Sequence, residues 1–298
     1  MSRPRITAGG RLVAGVPLTW LFLLFAVPFI IVLKISFPEV RLAMPPYAPL
    51  LESHGGHTGV QVHLANYSFL FTDPLYIRSY LYSLKVAAVS TFLCLLIGYP
   101  MAYAIARASS TVRSVLLMLI VLPFWTSFLL RVYAWIGLLK NNGVINNVLL
   151  YLGVIHEPLT MLQTDFAVYI GIVYSYLPFM ILPLYANLEK HDVTLLEAAA
   201  DLGASPFTAF RRITLPQSLP GIAAGCLLVF IPAVGEYVIP SLLGRTDQLM
   251  IGRVLSDEFF ENRDWPVASA VAILMLLLLV VPIMLFQRLE RREVGAHK

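Results

Sequence analysis

The sequence predicts an all-α, polytopic membrane protein with about six transmembrane helices in one domain, residues 1–298. Three observations carry that prediction. The chain is 58% hydrophobic and 13% charged, with mean hydropathy +0.78, whereas an ordinary soluble domain is roughly 45–50% apolar and about 25% charged. Its apolar residues are gathered into runs close to the ~20 residues that a helix needs to cross hydrocarbon. Its lysines and arginines flank those runs mainly on one side. The net charge of +4 and pI of about 9.1 would suggest a nucleic-acid partner in a soluble protein. Here membrane topology accounts for the charge, and no nucleic acid is expected.

The first span is expected over 16–36. Arg3, Arg5 and Arg11 precede an apolar run from Val16 to Ile35 that is longer than a signal-peptide core and lacks a small-x-small cleavage site after it, so it reads as an uncleaved span. An outer loop follows over 37–79. Pro45, Pro46 and Pro49 and then SHGGHTG are poor material for regular structure, so this segment is expected to lie as a loop over the outer mouth. Further spans are expected over 80–106, 114–138, 165–188, 219–243 and 266–287, with Pro178, Pro183, Pro232 and Pro240 suggesting kinks in the fourth and fifth of the six. The stretch 143–155 (GVINNVLLYLGVI) is apolar but short and rich in Asn and Gly, and reads as a surface or re-entrant helix.

An even number of spans puts both termini on one side. The N-terminus, the 107–113 turn, the 189–218 loop and the C-terminal tail hold Arg107, Arg113, Lys190, Arg211, Arg212, Arg288, Arg291, Arg292 and Lys298 besides the first three arginines. The opposite loops hold fewer bases and more acids, so the positive-inside rule places both termini and 189–218 in the cytoplasm. Cys94 and Cys226 lie inside apolar runs and read as small buried hydrophobes, not as a disulfide or metal pair. No internal repeat stands out.

The loop 189–218 carries the most specific signal. Thr194 and Glu197 have the spacing of a capping box, the three alanines that follow Glu197 are strong helix formers, and Gly203 is placed to close the helix in a left-handed conformation. Ser205 and Pro206 repeat the start signal, as N-cap and first residue of a second short helix through Phe210 and Arg212. From the residues alone this is either an amphipathic stretch packed on its own span ends or a surface offered to another protein.

Glu197, Ala198, Ala199, then Gly203, then Ile213, Leu215 and Pro216 fit EAA, three residues, G, nine residues, I-x-L-P at every fixed position. This resembles the EAA loop of the permease subunits of binding-protein-dependent ABC importers of type I. NYSFLFTDPLYIRSYLYSLKVA (66–87), LIGYPMAYAIAR (96–107), LPFWTSFLLRVYAW (122–135) and FIPAVGEYVIPSLLG (230–244) are similar to the permeases of spermidine/putrescine systems, specifically the first of their two permease subunits. The resemblance implies that the loop is a coupling helix docking on a cytoplasmic ATPase. It also implies as partners a second homologous permease, a dimer of that ATPase, a periplasmic binding protein and a polyamine cargo, in lipid of a bacterial inner membrane. No GxxxxGK[ST] occurs in the chain, so ATP and its Mg ion are expected on the partner ATPase, with no cofactor or catalytic residue here.

Glu236 is the only acidic side chain well inside a span, where a carboxylate is costly and therefore a functional candidate. Three readings stand. It lies on the path of a cationic cargo, it pairs with Arg131 or Lys85 to lock helices, or it is buried in its neutral form; a pair that opens for cargo would be a gate. Trp125, Tyr133, Trp135, Tyr174, Tyr176 and Tyr237 crowd spans three to five, and of these Trp125, Tyr174 and Tyr237 join Glu236 as substrate-path candidates through cation–π contacts. Interfacial anchoring explains such aromatics as well. His54, His57 and His63 lack convincing partners for a metal, and none is expected; Asp257, Glu258, Glu261 and Asp264 form an acidic group in the last outer loop. Other readings compete: related ABC permeases for other small organic solutes share parts of these segments, a secondary transporter with Glu236 as its ion site leaves the EAA pattern unexplained, and a membrane enzyme would need the histidines.

Overall fold

The computed structural model describes residues 8–49, 51–54, 57–60 and 63–296, with side chains over 15–49 and 63–284. It divides into two compact units, Met1–Pro74 with Leu255–Leu277, and Leu75–Val254 with Leu278–Lys298.

The first unit opens with α1 (Ala8–Leu21), a π-helical turn Phe22–Ala26, and α2 (Val27–Ile35). Gly15–Ile35 is long and apolar enough to cross a membrane, and none of it is buried by the rest of the chain. Its end is anchored: the Ser36 hydroxyl bonds to the Leu33 carbonyl at 2.8 Å and to the Tyr67 hydroxyl at 2.7 Å, while the Asn66 amide donates to the Ser36 and Pro38 carbonyls. The segment expected to be irregular is partly ordered. Strands β1 (Leu51–His54) and β2 (His57–Val60) pair antiparallel with Leu51 opposite Val60 and His54 opposite His57. Only Gly55 and Gly56 separate them in sequence, the kind of pair that two-residue hairpin connections favour. Helix α3 (Ala65–Thr72) follows. The side chains of His54 and His57 lie outside the described residues; His63 sits 3.7 Å from Glu39. No group of three or more metal-ligating side chains forms among the described residues.

In the second unit, α4 (Pro74–Arg107) starts earlier than the predicted span because Pro74 occupies its first helical position. At ~1.5 Å per residue its 34 residues reach ~51 Å, well beyond the ~30 Å hydrocarbon core. Next come α5 (Ser110–Val121), α6 (Phe128–Leu139), α7 (Val144–Tyr151), α8 (Asp165–Leu188), α9 (Thr194–Asp201), α10 (Pro206–Ala209), α11 (Leu215–Gln217), α12 (Leu219–Val234), α13 (Val238–Leu243) and α14 (Ile251–Ser256). Helix α15 (Trp265–Ala296) follows, Trp265–Leu277 belonging to the first unit and the part from Leu278 to the second. Among the described residues four helices are long and apolar enough to cross a membrane alone, and six segments are if each of two bent pairs counts as one span.

The third and fifth expected spans are each interrupted, the fifth between Pro232 and Pro240, two of the prolines that predict kinks. The third turns by 90° after a 3-10 turn, Leu122–Trp125, in which Pro123 removes a backbone donor and Thr126 bonds its hydroxyl back to the Pro123 carbonyl. The fifth halts at Gly235 between α12 and α13, and its approach, Pro206–Gln217 with Leu219–Val234, bends by 62°. The short 143–155 stretch forms α7, held by the fully buried Asn146, which exchanges two 2.9 Å bonds with the backbone of Leu159.

The core joins α4, α8 and α12 through Cys94, Ala102, Ile105, Met180, Ile181, Leu184, Leu188 and Val229. Helices α8 and α12 approach closely because α12 presents glycines one turn apart. A β-carbon on Gly221 would sit 2.7 Å from the Asn187 side chain, and one on Gly225 2.7 Å from the Met180 sulfur. Glycine thus sets the helix spacing. At the end of this bundle Arg113 donates to Glu189 at 2.6 Å and to the Ala106 and Ala108 carbonyls, stapling α5 to the ends of α4 and α8.

Candidate functional site

Two sites emerge in the second unit, and the first is the projecting loop. Helix α9 begins at Thr194, but not through the expected capping box: Thr194 is already helical, and its amide is accepted by the Asp192 carboxylate at 3.0 Å. That bond and the Thr194 hydroxyl hold the Asp192 carboxyl below its ordinary pKa. The other end follows the prediction. Gly203 has φ +78°, its amide bonds to the Ala200 carbonyl, and the Ala204 amide bonds back to Ala199. This double closure is a Schellman turn, which needs a left-handed residue at its centre. Ser205 then caps α10 by accepting from the Thr208 amide, with Pro206 next.

Glu197 and Ala198 face outward, Ala199 is half-buried, and Leu202 and Phe207 stand 89% and 72% exposed beside them. Ile213 and Leu215 are half-buried on the inner side, while Pro216 starts the path back towards α12. The loop therefore offers a small-residue helix and two bare apolar side chains to whatever meets it.

The second site surrounds Glu236. The break after Gly235 leaves the first amides of α13 without intrahelical partners. The Glu236 carboxylate takes them: Oε1 accepts from Val238 at 3.0 Å and from Ile239 at 3.3 Å. Its other oxygen accepts from the Tyr176 hydroxyl. Glu236 as a residue is 7% exposed. A close backbone pass fixes the break, since a β-carbon on Gly252 would lie 2.4 Å from the Gly235 carbonyl. The neighbouring Ile251 amide donates to the buried Ser83 hydroxyl at 2.8 Å.

From Tyr176 a run of rings leads away. Tyr176 lies 6.0 Å from Phe179, Phe179 lies 5.3 Å from Phe124, and the Arg131 guanidinium covers the faces of Phe124 and Phe128 at 5.5 and 5.7 Å. Glu236 and Arg131 are therefore the two ends of an aromatic array. Among the described residues no ion pair joins Glu236 to Arg131 or Lys85. Lys85 instead stands 3.8 Å from Asp165, whose other oxygen accepts from Tyr82.

The remaining candidates are dispersed. Tyr174 packs edge-on against Trp135 and lines an apolar cavity of about 420 Å³ with Met101, Ile120 and Pro178. It does not reach Glu236, because two residues along a helix turn the side chain by about 200°. Trp125 is 77% exposed at the end of its 3-10 turn, and Tyr237 is 44% exposed at the start of α13. Phe124 and Phe179 received no role from the sequence, which held no sign that Phe179 and Tyr176 would share one face with the break in another span. Of the acidic group 257–264, Asp264 caps α15 by accepting from Val267 at 3.0 Å, and burial raises its carboxyl pKa.

Comparison with known proteins gives a consistent picture. Residues 94–294 match the family described as binding-protein-dependent transport system inner membrane component. The chain is 39% identical over 281 residues, 94% of both chains, to the spermidine/putrescine transport system permease protein PotB of Haemophilus influenzae. It is 44% identical over 228 residues, 76% of this chain and 82% of its relative, to the protein of the same name from Escherichia coli. Among solved structures, a chain of a bacterial ABC transporter that imports the acidic polysaccharide alginate superposes with TM-score 0.66 at 19% identity, covering 94% of this chain and 95% of that one. A methionine ABC transporter in an inward-facing conformation gives 0.55 at 18% identity, covering 73% and 95%. These two likenesses speak to the fold.

Proposed function

The chain belongs to the family of binding-protein-dependent transport system inner membrane components, and from that premise we propose that it is one of two permease subunits of an ATP-driven polyamine importer. With its partner permease it forms the path for putrescine or spermidine delivered by a periplasmic binding protein. Both termini and the loop 189–218 face the cytoplasm, where a dimer of ABC ATPases, carrying ATP and Mg, grips α9. This chain has no cofactor and hydrolyses nothing itself.

The observation that carries the reading is the projecting loop: EAA at 197–199, the Schellman turn at Gly203, and Leu202 and Phe207 left bare beside it. An apolar, rigid knob of this kind has a purpose when a separate engine must hold it. Polyamine cargo is supported by the relatives' names together with the carboxylate and ring array. Ammonium groups are attracted to ring faces and more strongly to a desolvated carboxylate. In the resting chain Tyr176 and two amides occupy Glu236 and Arg131 covers the far rings. Closure of the ATPases draws the coupling loops together and opens the outer mouth, and the cargo then takes the Glu236 end while Arg131 serves as the gate.

The test is uptake of labelled putrescine into proteoliposomes holding both permeases and the ATPase, with binding protein outside and ATP inside. Saturable, ATP-dependent uptake competed by spermidine is expected. ATP hydrolysis stimulated by the binding protein without putrescine uptake would keep the importer and discard the cargo. Uptake that follows an ion gradient and survives loss of the ATPase would overturn the reading.

A further inference from the structure

An aromatic side chain of the projecting loop packs directly on a membrane helix. Phe210 opens the π-helical turn Phe210–Thr214, directly after α10. Its ring meets Tyr99 at 5.7 Å and Tyr103 at 6.4 Å, edge-on to each at 88° and 87°. Tyr99 and Tyr103 lie one turn apart on α4 and pack against the buried cluster that joins α4, α8 and α12. The seat is closed on its flanks: the Arg107 guanidinium covers the Tyr103 ring at 5.4 Å, and the Tyr99 hydroxyl bonds to the buried Ser218 hydroxyl at 3.0 Å. Ser218 in turn donates to the Leu215 carbonyl.

The position on α4 matters as much as the contact. Tyr99 immediately precedes Pro100, the proline inside this 34-residue helix. Proline cannot donate to the carbonyl four residues back and its ring crowds that turn, so the helix is weakest there. The turn that carries Phe210 is itself π-helical, a wide and less stable geometry that recurs at functional sites. A push on the loop thus reaches α4 through a hard aromatic contact, at the place where α4 bends most easily.

Resting on the importer reading above, we propose that Phe210 is the positioning residue through which the coupling loop moves the spans: seated between Tyr99 and Tyr103, it passes the displacement of α9 and α10 into α4 at Pro100. Docking of the ATPase belongs to α9 and its exposed apolar side chains; transmission belongs to Phe210.

The experiment compares unsubstituted, Phe210→Ala and Phe210→Tyr complexes, each holding both permeases and the ATPase, in proteoliposomes with binding protein and labelled putrescine. Three quantities are read: ATPase retained on purification, ATP hydrolysis with and without binding protein, and putrescine taken up per ATP. For Phe210→Ala the ATPase is retained, its stimulation by binding protein is lost, and uptake per ATP falls roughly tenfold, within the usual range of coupling between sites. Phe210→Tyr, which keeps the edge contacts, restores both. A Phe210→Ala complex with unsubstituted stimulation and uptake per ATP would overturn the proposal, and so would loss of the ATPase from that complex, which would make Phe210 part of the dock. An unsubstituted complex without ATP-dependent behaviour would instead overturn the importer reading, and the lever with it.

Discussion

The Glu236 carboxylate does two jobs that separate by substitution. Oε1 closes the start of α13, and the opposite oxygen receives Tyr176. Glutamine keeps a carbonyl oxygen for the amides but removes the charge. Glu236→Gln should therefore leave the complex assembled while uptake of the dication weakens about tenfold, chiefly as a raised KM, because an ionic hydrogen bond contributes roughly 1.5–3 kcal/mol where a neutral one contributes about 1. Unchanged uptake kinetics would remove Glu236 from the cargo path. Gly203 is simpler: a β-carbon there meets nothing within 4 Å, so the cost of substitution lies in the backbone alone. Gly203→Asp should cost about 1–2 kcal/mol for the left-handed conformation and place a charge at the apolar knob, reducing the ATPase recovered with the complex. Gly203→Asn, which tolerates that conformation better, should recover more; equal recovery from Gly203→Asp and the unsubstituted chain would refute the docking role. Both residues were legible in the sequence, one as a carboxylate in an apolar run and one as a glycine at a helix end. Tyr176 was not singled out over Tyr174, because the choice depends on which face of α8 meets α13, a tertiary fact.

At the scale of elements, the apolar segments are legible because composition alone marks them, four of them as single helices among the described residues. Their breaks are not. Pro178, Pro183, Pro232 and Pro240 suggest kinks, yet all four lie inside helices, because prolines are tolerated in membrane helices; the chain instead stops at Leu122–Trp125 and at Gly235. The segment 37–79 differs from expectation for the opposite reason, its glycines and prolines masking a strand pair and the start of α4. A readable signal was also passed over: Gly221 and Gly225 have the small-xxx-small spacing of a close helix contact. A β-carbon on Gly225 meets the Met180 sulfur at 2.7 Å and the Met180 carbonyl at 3.1 Å. The sulfur can turn aside, whereas the carbonyl belongs to the backbone of α8. Gly225→Leu should thus force the helices apart at a cost of about 1–3 kcal/mol or more, lowering the unfolding temperature of the detergent-solubilised complex by several degrees. Gly225→Ala should fall between the two. A Leu variant that melts with the unsubstituted complex would show that the α8–α12 contact is not set by these glycines.

For the molecule as a whole, function turns on which side of the membrane the coupling loop occupies, and the charge bias that assigns it to the cytoplasm can be tested without cargo. In the second unit, α8 runs between the segment that follows α7 and the loop 189–218, and it is long enough to cross the bilayer. Those two segments must then lie on opposite sides. Leu202 is 89% and Val154 66% exposed, so a cysteine at either position is open to reagent. The native thiols interfere little, since Cys94 is buried and Cys226 half-buried. A membrane-impermeant maleimide should label Val154→Cys in intact cells with a permeable outer membrane, and Leu202→Cys only in inverted vesicles. Adding the ATPase to those vesicles should then shield Leu202→Cys while leaving control sites on the termini reactive. Labelling of Leu202→Cys from outside would invert the topology and strand the EAA loop on the side without ATP, leaving the ring array with no engine to open it. Correct sidedness without shielding would leave the topology standing and move the dock away from Leu202, to the more polar edge of α9 that carries Glu197.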